Sequence, residues 1–179
     1  MEKKISSEDS LPPLGIEPYM ELIQEPAAKE AIKQDTQTGL MMLWLSDFVL
    51  DAVDVELEPF GITESKLDLL LLLTLYGDKK KTPSSLAERL GISRASLTSM
   101  IDWLEKRKLV ERTHCANDRR KVHVHITEEG RGMVKKVLPV YWSFCASIVQ
   151  DLEPEEKQVF EKVIKKLNDK MQKRLGVER

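Results

Sequence analysis

Two clusters of hydrogen-bonding side chains stand out in the middle of this 179-residue chain. The first is Ser84, Ser93, Arg94, Ser96, Thr98 and Ser99, short hydroxyls around one arginine. The second is Asn117, Asp118, Arg119, Arg120 and Lys121, a polar and mostly basic run. Hydroxyls, amides and guanidinium groups suit phosphate oxygens and base edges. They do not by themselves make a reaction centre. The chain has no Gly-rich phosphate loop, nucleophile elbow, paired carboxylates or close-spaced metal motif, which argues against an enzyme. No cofactor and no metal are expected.

Charge sharpens this reading. Lys79 to Lys121 holds 12 Lys/Arg against 5 acids, whereas Met1 to Asp78 holds 16 acids against 5 lysines. The remainder is close to balanced, and the whole chain carries −2. A basic middle in an acidic chain is the footprint of a localised phosphate-binding surface. The lysine runs Lys79-Lys80-Lys81 and Lys106-Arg107-Lys108 are weak signals alone, since solvated faces look the same.

The elements that would position these side chains are legible. Pro83 to Leu90 reads as a short helix, Gly91-Ile92-Ser93 as a tight turn, and Arg94 to Lys106 as a second helix. Gly91 stands where the turn needs positive φ. Leu86, Leu90, Ile92, Leu97, Ile101 and Leu104 would share a small core, with Ala87 allowing a close helix crossing. This pattern is a helix-turn-helix, whose second helix leads into the DNA major groove with its N-terminal residues. Leu109 to Thr113 then reads as a strand, residues 114–119 as a loop, and Lys121 to Ile126 as an alternating strand. Val122, Val124 and Ile126 face one side, with His123 and His125 on the solvent side. A hairpin after a helix-turn-helix makes a wing, and Arg119, Arg120 and Lys121 near its tip suit backbone and minor-groove contacts.

Long helices flank this segment. Leu40 to Leu57 carries a wide apolar surface beside the acidic stripe Asp47, Asp51, Asp54 and Glu58, with Thr38 as a candidate cap. Pro59 and Gly61 stop it, and Thr63 opens a largely apolar helix over Glu64 to Tyr76. Two more helices are read at about Thr127 to Asp151, with Pro139 inside, and Glu155 to about Lys173. Residues 16–36 look locally helical and residues 1–15 read as a flexible arm. No run approaches the roughly 20 apolar residues a membrane span needs. The charged N-terminus lacks a signal-peptide core, and Cys115 and Cys145 lie far apart, so a reduced cytoplasmic chain is expected.

Residues 37–174 resemble the MarR family of bacterial regulators. The resemblance rests on Asp118-Arg119-Arg120, the alternating strand after it, and Ile126-Thr127-Glu128-Glu129-Gly130, where Ile126 stands for the family's Leu. Leu86-Ala87 and Leu90-Gly91-Ile92-Ser93 match as well. Residues 1–36 lie outside it. The resemblance implies a mainly α fold with a small β-hairpin wing, a winged helix-turn-helix flanked by N- and C-terminal dimerisation helices. It divides the chain into an arm (1–36), a helical dimerisation region (37–62 and 127–174) and a DNA-binding lobe (63–126).

It also implies a homodimer on a palindromic site of double-stranded DNA, its recognition helices about 34 Å apart. Tyr141, Phe144, Phe160, Ile164, Leu167 and Met171 would then serve dimerisation. Family members are often repressors released by small aromatic or lipophilic ligands, for which Trp44, Phe48 and Trp103 are candidate pocket residues. Such aromatics also serve simply as core. Two other functions fit parts of the sequence. A winged helix used for protein contact predicts no specific DNA binding. A redox-sensing regulator would use Cys115, beside His114 and near Arg112 and Arg119, whose charges favour a thiolate. Cys115, His114, His123 and His125 also raise zinc, which needs four ligands in fixed geometry.

Overall fold

A computed structural model describes Met20 and residues 30–76, 82–115 and 118–176; the side chains of 30, 31, 115 and 118–121 are not described. Among these residues the element order is α1 (Glu30–Leu57), a 3-10 turn (Glu58–Phe60), α2 (Glu64–Tyr76), α3 (Pro83–Leu90), α4 (Arg94–Lys106), β1 (Val110–Cys115), β2 (Asp118–Ile126), α5 (Glu128–Ser147) and α6 (Pro154–Leu175). The fold is mainly helical with a two-stranded antiparallel wing. The chain forms two compact units, Met1–Asp51 and Ala52–Arg179. No described helix is long and apolar enough to cross a membrane.

In the first unit, α1 begins at Glu30, ten residues before the expected start. Thr38 is therefore not a cap. It sits inside the helix, where its hydroxyl donates to the Gln34 carbonyl (3.0 Å). Thr36 does the same to Ile32 (2.7 Å). A hydroxyl that bonds back four residues fits a helix interior as well as an end, so the residue type alone misplaces the boundary.

The second unit holds the core. Leu67, Leu69, Leu70 and Leu73 of α2, Leu97, Ile101 and Leu104 of α4, and Val110 and Val124 of the wing are all 1% exposed or less. Val53 and Leu57 at the end of α1, Ile62, Leu86, Ala87, and Val134 and Val137 of α5 complete it. Burying a Leu or Ile side chain is worth about 2 kcal/mol, so this cluster is the main force holding the elements together.

Local chemistry ends each element where it ends. Gly61, with φ 61°, closes the 3-10 turn, and its N–H donates to the Glu58 carbonyl. Gly91, with φ 67°, turns α3 into α4. An L side chain there would meet the left-handed penalty of roughly 1 kcal/mol. Lys108 takes that penalty, with φ 60° between α4 and β1. The turn is fixed by Leu109 N–H donating to the Leu104 carbonyl (3.0 Å). From the other side, the Thr127 hydroxyl donates to the Lys108 carbonyl (2.6 Å).

Thr127 also caps α5, its Oγ1 accepting from Gly130 N–H (3.0 Å). Gly130 is required by close packing: a Cβ there would run into the Leu109 carbonyl oxygen and lie 2.7 Å from Ile126 Cγ1. This joint seats the start of α5 against the base of the wing. Pro139 lies within α5. On α6 none of the residues is buried.

Candidate nucleic-acid interface

The helix-turn-helix is built by two serine/threonine caps and one glycine. Thr82 Oγ1 accepts from Ser85 N–H (3.3 Å) to start α3, which has Pro83 in its first turn. Ser93 Oγ accepts from Ser96 N–H (3.0 Å) to start α4, and the Ser93 and Ser96 hydroxyls lie 2.8 Å apart. Both Thr82 and Ser93 are extended at the cap, as a capping geometry requires. The buried face of α4 is Leu97, Ile101 and Leu104. Its opposite face carries Arg94, Ala95, Ser96, Thr98 and Ser99, all exposed, with Ser84 exposed on α3.

Some of this polarity is already used. Ser93 and Ser96 are tied to each other, and the Thr98 hydroxyl donates to the Arg94 carbonyl (2.9 Å). Each hydroxyl retains lone pairs, and the backbone N–H groups at the start of α4 carry the positive end of the helix dipole. A helix N-terminus of this kind, led by Arg94, is suited to phosphate oxygens.

The wing follows directly. β1 and β2 pair from Val110↔Ile126 through Arg112↔Val124 to His114↔Val122, then from Cys115 to Asp118. Between those last two pairs β2 carries residues 119–121 without partners on β1, so the basic trio falls on a register irregularity. The connection is two residues, shorter than the six-residue loop read from the sequence. Asn117 lies outside the described residues, as do the side chains of Cys115, Asp118, Arg119, Arg120 and Lys121.

The histidines correct one expectation. His123 does not face solvent: it is 9% exposed, and its buried Nδ1 has no hydrogen-bond partner among the described residues. Val124, next to it, is buried as well. Strict in–out alternation presumes a sheet with one solvated face; here both neighbours are covered. His125 is half-buried, with Nε2 3.0 Å from Thr113 Oγ1. His114 is exposed. Among the described residues no three His, Cys, Asp or Glu side chains are placed to hold a metal ion.

Sequence reasoning missed two polar contacts. The first is Arg112 on β1, whose guanidinium pairs with both Asp102 and Glu105 of α4. The two carboxylates outweigh the desolvation of the guanidinium and raise its pKa. Arg112, a positive neighbour of Cys115 in sequence, has its charge engaged by these acids. The second is Asp54, part of the acidic stripe Asp47, Asp51, Asp54 and Glu58. Its Oδ1 accepts from Glu64 N–H (2.6 Å) and so caps α2 from the end of α1. No local spacing signals a cap ten residues away. Thr63, expected as that cap, accepts the first helical bond at its carbonyl from Leu67 (2.9 Å), while its hydroxyl accepts from Lys66 Nζ (2.9 Å).

An acid-rich cluster lies where α2 faces α5. Burial, then Asp68 and Asp54, push the Glu64 carboxyl up to about 7. Burial also raises Asp68. Burial and the nearby Cys145, Asp68 and Glu64 push Tyr141 up to about 12.

The candidate pocket residues fall into separate settings. Trp44 and Phe48 stack edge to face, with centroids 6.3 Å apart and planes at 76°, and Phe48 is exposed. Trp103 is half-buried and carries the Arg107 guanidinium 3.5 Å, and Lys66 Nζ 4.9 Å, from its ring centroid. Of the candidate dimerisation residues, Tyr141 and Phe144 pack partly on the core, Phe160 and Ile164 are exposed, and Leu167 and Met171 are half-buried. Cys145 is an exposed free thiol.

This architecture has known relatives. Residues 62–122 match the MarR family. The HTH-type transcriptional regulator YhbI of Bacillus subtilis (strain 168) is 34% identical over 111 residues, 62% of this chain and 71% of the relative. The chain belongs to the MarR family of winged-helix transcriptional regulators. The HTH-type transcriptional repressor YetL of the same organism is 30% identical over 111 residues, 62% of this chain and 66% of YetL. The match thus spans just under two thirds of that repressor. Among solved folds, the MepR–DNA complex of S. aureus aligns with a TM-score of 0.67 at 21% identity, covering 74% of this MarR-family chain and 96% of that one.

Proposed function

We propose that the protein is a sequence-specific DNA-binding transcription regulator, a repressor that binds a palindromic operator as a homodimer. The observation that carries this reading is the outer face of α4. Its core side is closed by Leu97, Ile101 and Leu104, yet Arg94, Ser96, Thr98 and Ser99 stand exposed beside a basic hairpin. Exposed hydroxyls and one arginine at a helix start have the chemistry of major-groove and phosphate contact. Ser84, Asn117, Asp118, Arg119, Arg120 and Lys121 would extend that surface.

The homodimer is supported by apolar residues with no cover in a single chain: Val159, Phe160, Val163 and Ile164 of α6, and Met41, Met42, Leu45 and Phe48 of α1. A surface of this kind marks an interface. In this reading α1, α5 and α6 form the dimerisation region and residues 63–126 the DNA-binding lobe. A small aromatic or lipophilic effector would act through Trp44, Phe48 or Trp103. DNA affinity measured with and without a panel of such compounds tests that part.

The central experiment selects fragmented genomic DNA of the source organism on the purified protein in moderate salt. Enrichment of a two-fold symmetric site is the expected result. Absence of any binding at low salt overturns the regulator reading in favour of a protein-contact winged helix. Arg120→Ala should weaken binding to the enriched site and reduce its salt dependence. Unchanged affinity removes the wing from the interface.

A further inference from the structure

The core holds α4 and β1 together without charges. Ile101, Leu104 and Val110 are buried in it, and Leu109 N–H donates to the Leu104 carbonyl. Apolar contact is non-directional, however. It fixes that the hairpin packs on α4, and leaves the direction in which the hairpin projects to other groups.

Arg112 is placed to set that direction. Asp102 and Glu105 stand three residues apart on α4, hence on one face. The Arg112 guanidinium takes Asp102 Oδ1 with Nη2 and Glu105 Oε2 with Nη1. Its backbone N–H donates to Glu105 Oε1 (3.1 Å), so one carboxylate grips both the side chain and the strand. The arginine side chain is 26% exposed, which limits screening. Forked guanidinium–carboxylate pairs constrain orientation as well as distance. Because Arg112 pairs with Val124 across the hairpin, an orientation imposed there carries to β2. The clamp grips the C-terminal half of α4 and does not engage Arg94, Ser96 or Ser99.

We propose that Arg112 is a positioning residue for DNA recognition: clamped by Asp102 and Glu105, it fixes the wing relative to the recognition helix, so that both elements meet the duplex in one register. This rests on the regulator reading above.

The test uses the full chain with Arg112→Met, Arg112→Lys and the milder Asp102→Asn. Two measurements are made: amide hydrogen exchange of the free protein over β1 and β2, and the ratio of affinities for the selected duplex and a shuffled one. Arg112→Met should speed exchange across the wing and lower the affinity ratio by roughly tenfold, with shuffled-duplex affinity little changed. Arg112→Lys should recover part of both, since an ammonium cannot fork to two carboxylates. Asp102→Asn, on an exposed residue, should show the same changes in smaller degree with the fold intact. Wild-type exchange with a wild-type ratio overturns the proposal, as does equal weakening on both duplexes, which would mean only lost charge. If the wild-type protein selects no duplex, the regulator reading fails and the recognition role falls with it. The exchange measurement then still reports whether the clamp holds the wing.

Discussion

The core of the lobe formed by α2, α3, α4 and the wing is closed with help from the end of α1 and from α5, whereas no residue of α6 is fully buried. Helix α4 of the lobe and α6 are both amphipathic, with regular apolar spacing. In the lobe, Leu67, Leu70, Leu97, Ile101 and Leu104 are fully covered. On α6, Val159 is 62% and Ile164 48% exposed. Apolar periodicity therefore says that a face will be buried without saying by what. The lobe answers from within the chain; on α6 the proposed homodimer would supply the cover. The two regions should respond oppositely to substitution.

A large effect from a single methyl is expected at the joint that seats α5 on the lobe. Gly130→Ala drives a methyl into the Leu109 carbonyl, which is backbone and cannot swing away. We expect a loss of about 3 kcal/mol, read as a lower unfolding midpoint at fixed protein concentration. Gly132 is the control. Nothing lies within 4 Å of a Cβ built there, so Gly132→Ala should gain a few tenths of a kcal/mol to about 1 from helix propensity. Equal effects at both positions would remove close packing as the reason for Gly130.

Next comes the uncovered face. Ile164→Asp should leave the helical circular dichroism intact and weaken self-association by roughly a hundredfold, measured by sedimentation. The same change at Ile101, buried in the lobe, should unfold the protein. A dimer that survives Ile164→Asp would take this part of α6 out of the interface and leave its exposure unexplained.

Legibility from sequence follows the same division. α2, α3 and α4 lie where the sequence places them; α3 and α4 have local starts in Thr82 with Pro83 and in Ser93 after Gly91, whereas α2 follows the stop at Gly61 but takes its cap from Asp54. The Asp118-Arg119-Arg120 run and Gly130 also identify the family before any geometry is known. The unread features are contacts made at a distance in the chain. Asp54 caps a helix ten residues on, Arg112 reaches back to Asp102, and His123 is covered where alternation puts it in solvent. Thr38 shows the limit even of local signals, since its hydroxyl serves a helix interior as readily as a helix start.

A smaller effect lies at the acid cluster facing α5. The Glu64 carboxyl sits at about 7 in the folded chain, against an ordinary value of 4.5. Between those values the folded state holds the extra proton. The stability contributed by this proton is therefore fully present at and below the lower value, declines as pH rises through the window, and is absent above the upper one. Glu64 is only half-buried, so solvent screening reduces the loss to about 1 kcal/mol. Urea midpoints for Glu64→Gln should be flatter between pH 5 and pH 8 than those of the unmodified protein. Parallel curves would mean that the charged carboxylate finds a compensating partner.

A change of similar size bears most directly on function, because Ser93 serves the fold of the lobe and also lies at its outward face. Its Oγ accepts from Ser96 N–H, so Ser93→Ala should cost about 1 kcal/mol, as loss of a helix cap does. That alone would say nothing about DNA, since a destabilised lobe also binds less. Ser93→Asp separates the two roles. Aspartate caps as well as serine, and its charge favours the helix start, so stability should return to that of the unmodified protein. The same charge would face duplex phosphates if α4 enters the groove, so affinity should fall well below that of Ser93→Ala. Full stability with lost binding in Ser93→Asp would place residue 93 at the DNA. Full stability with full binding would leave it a cap and move the interface further along α4, toward Ser96 and Ser99.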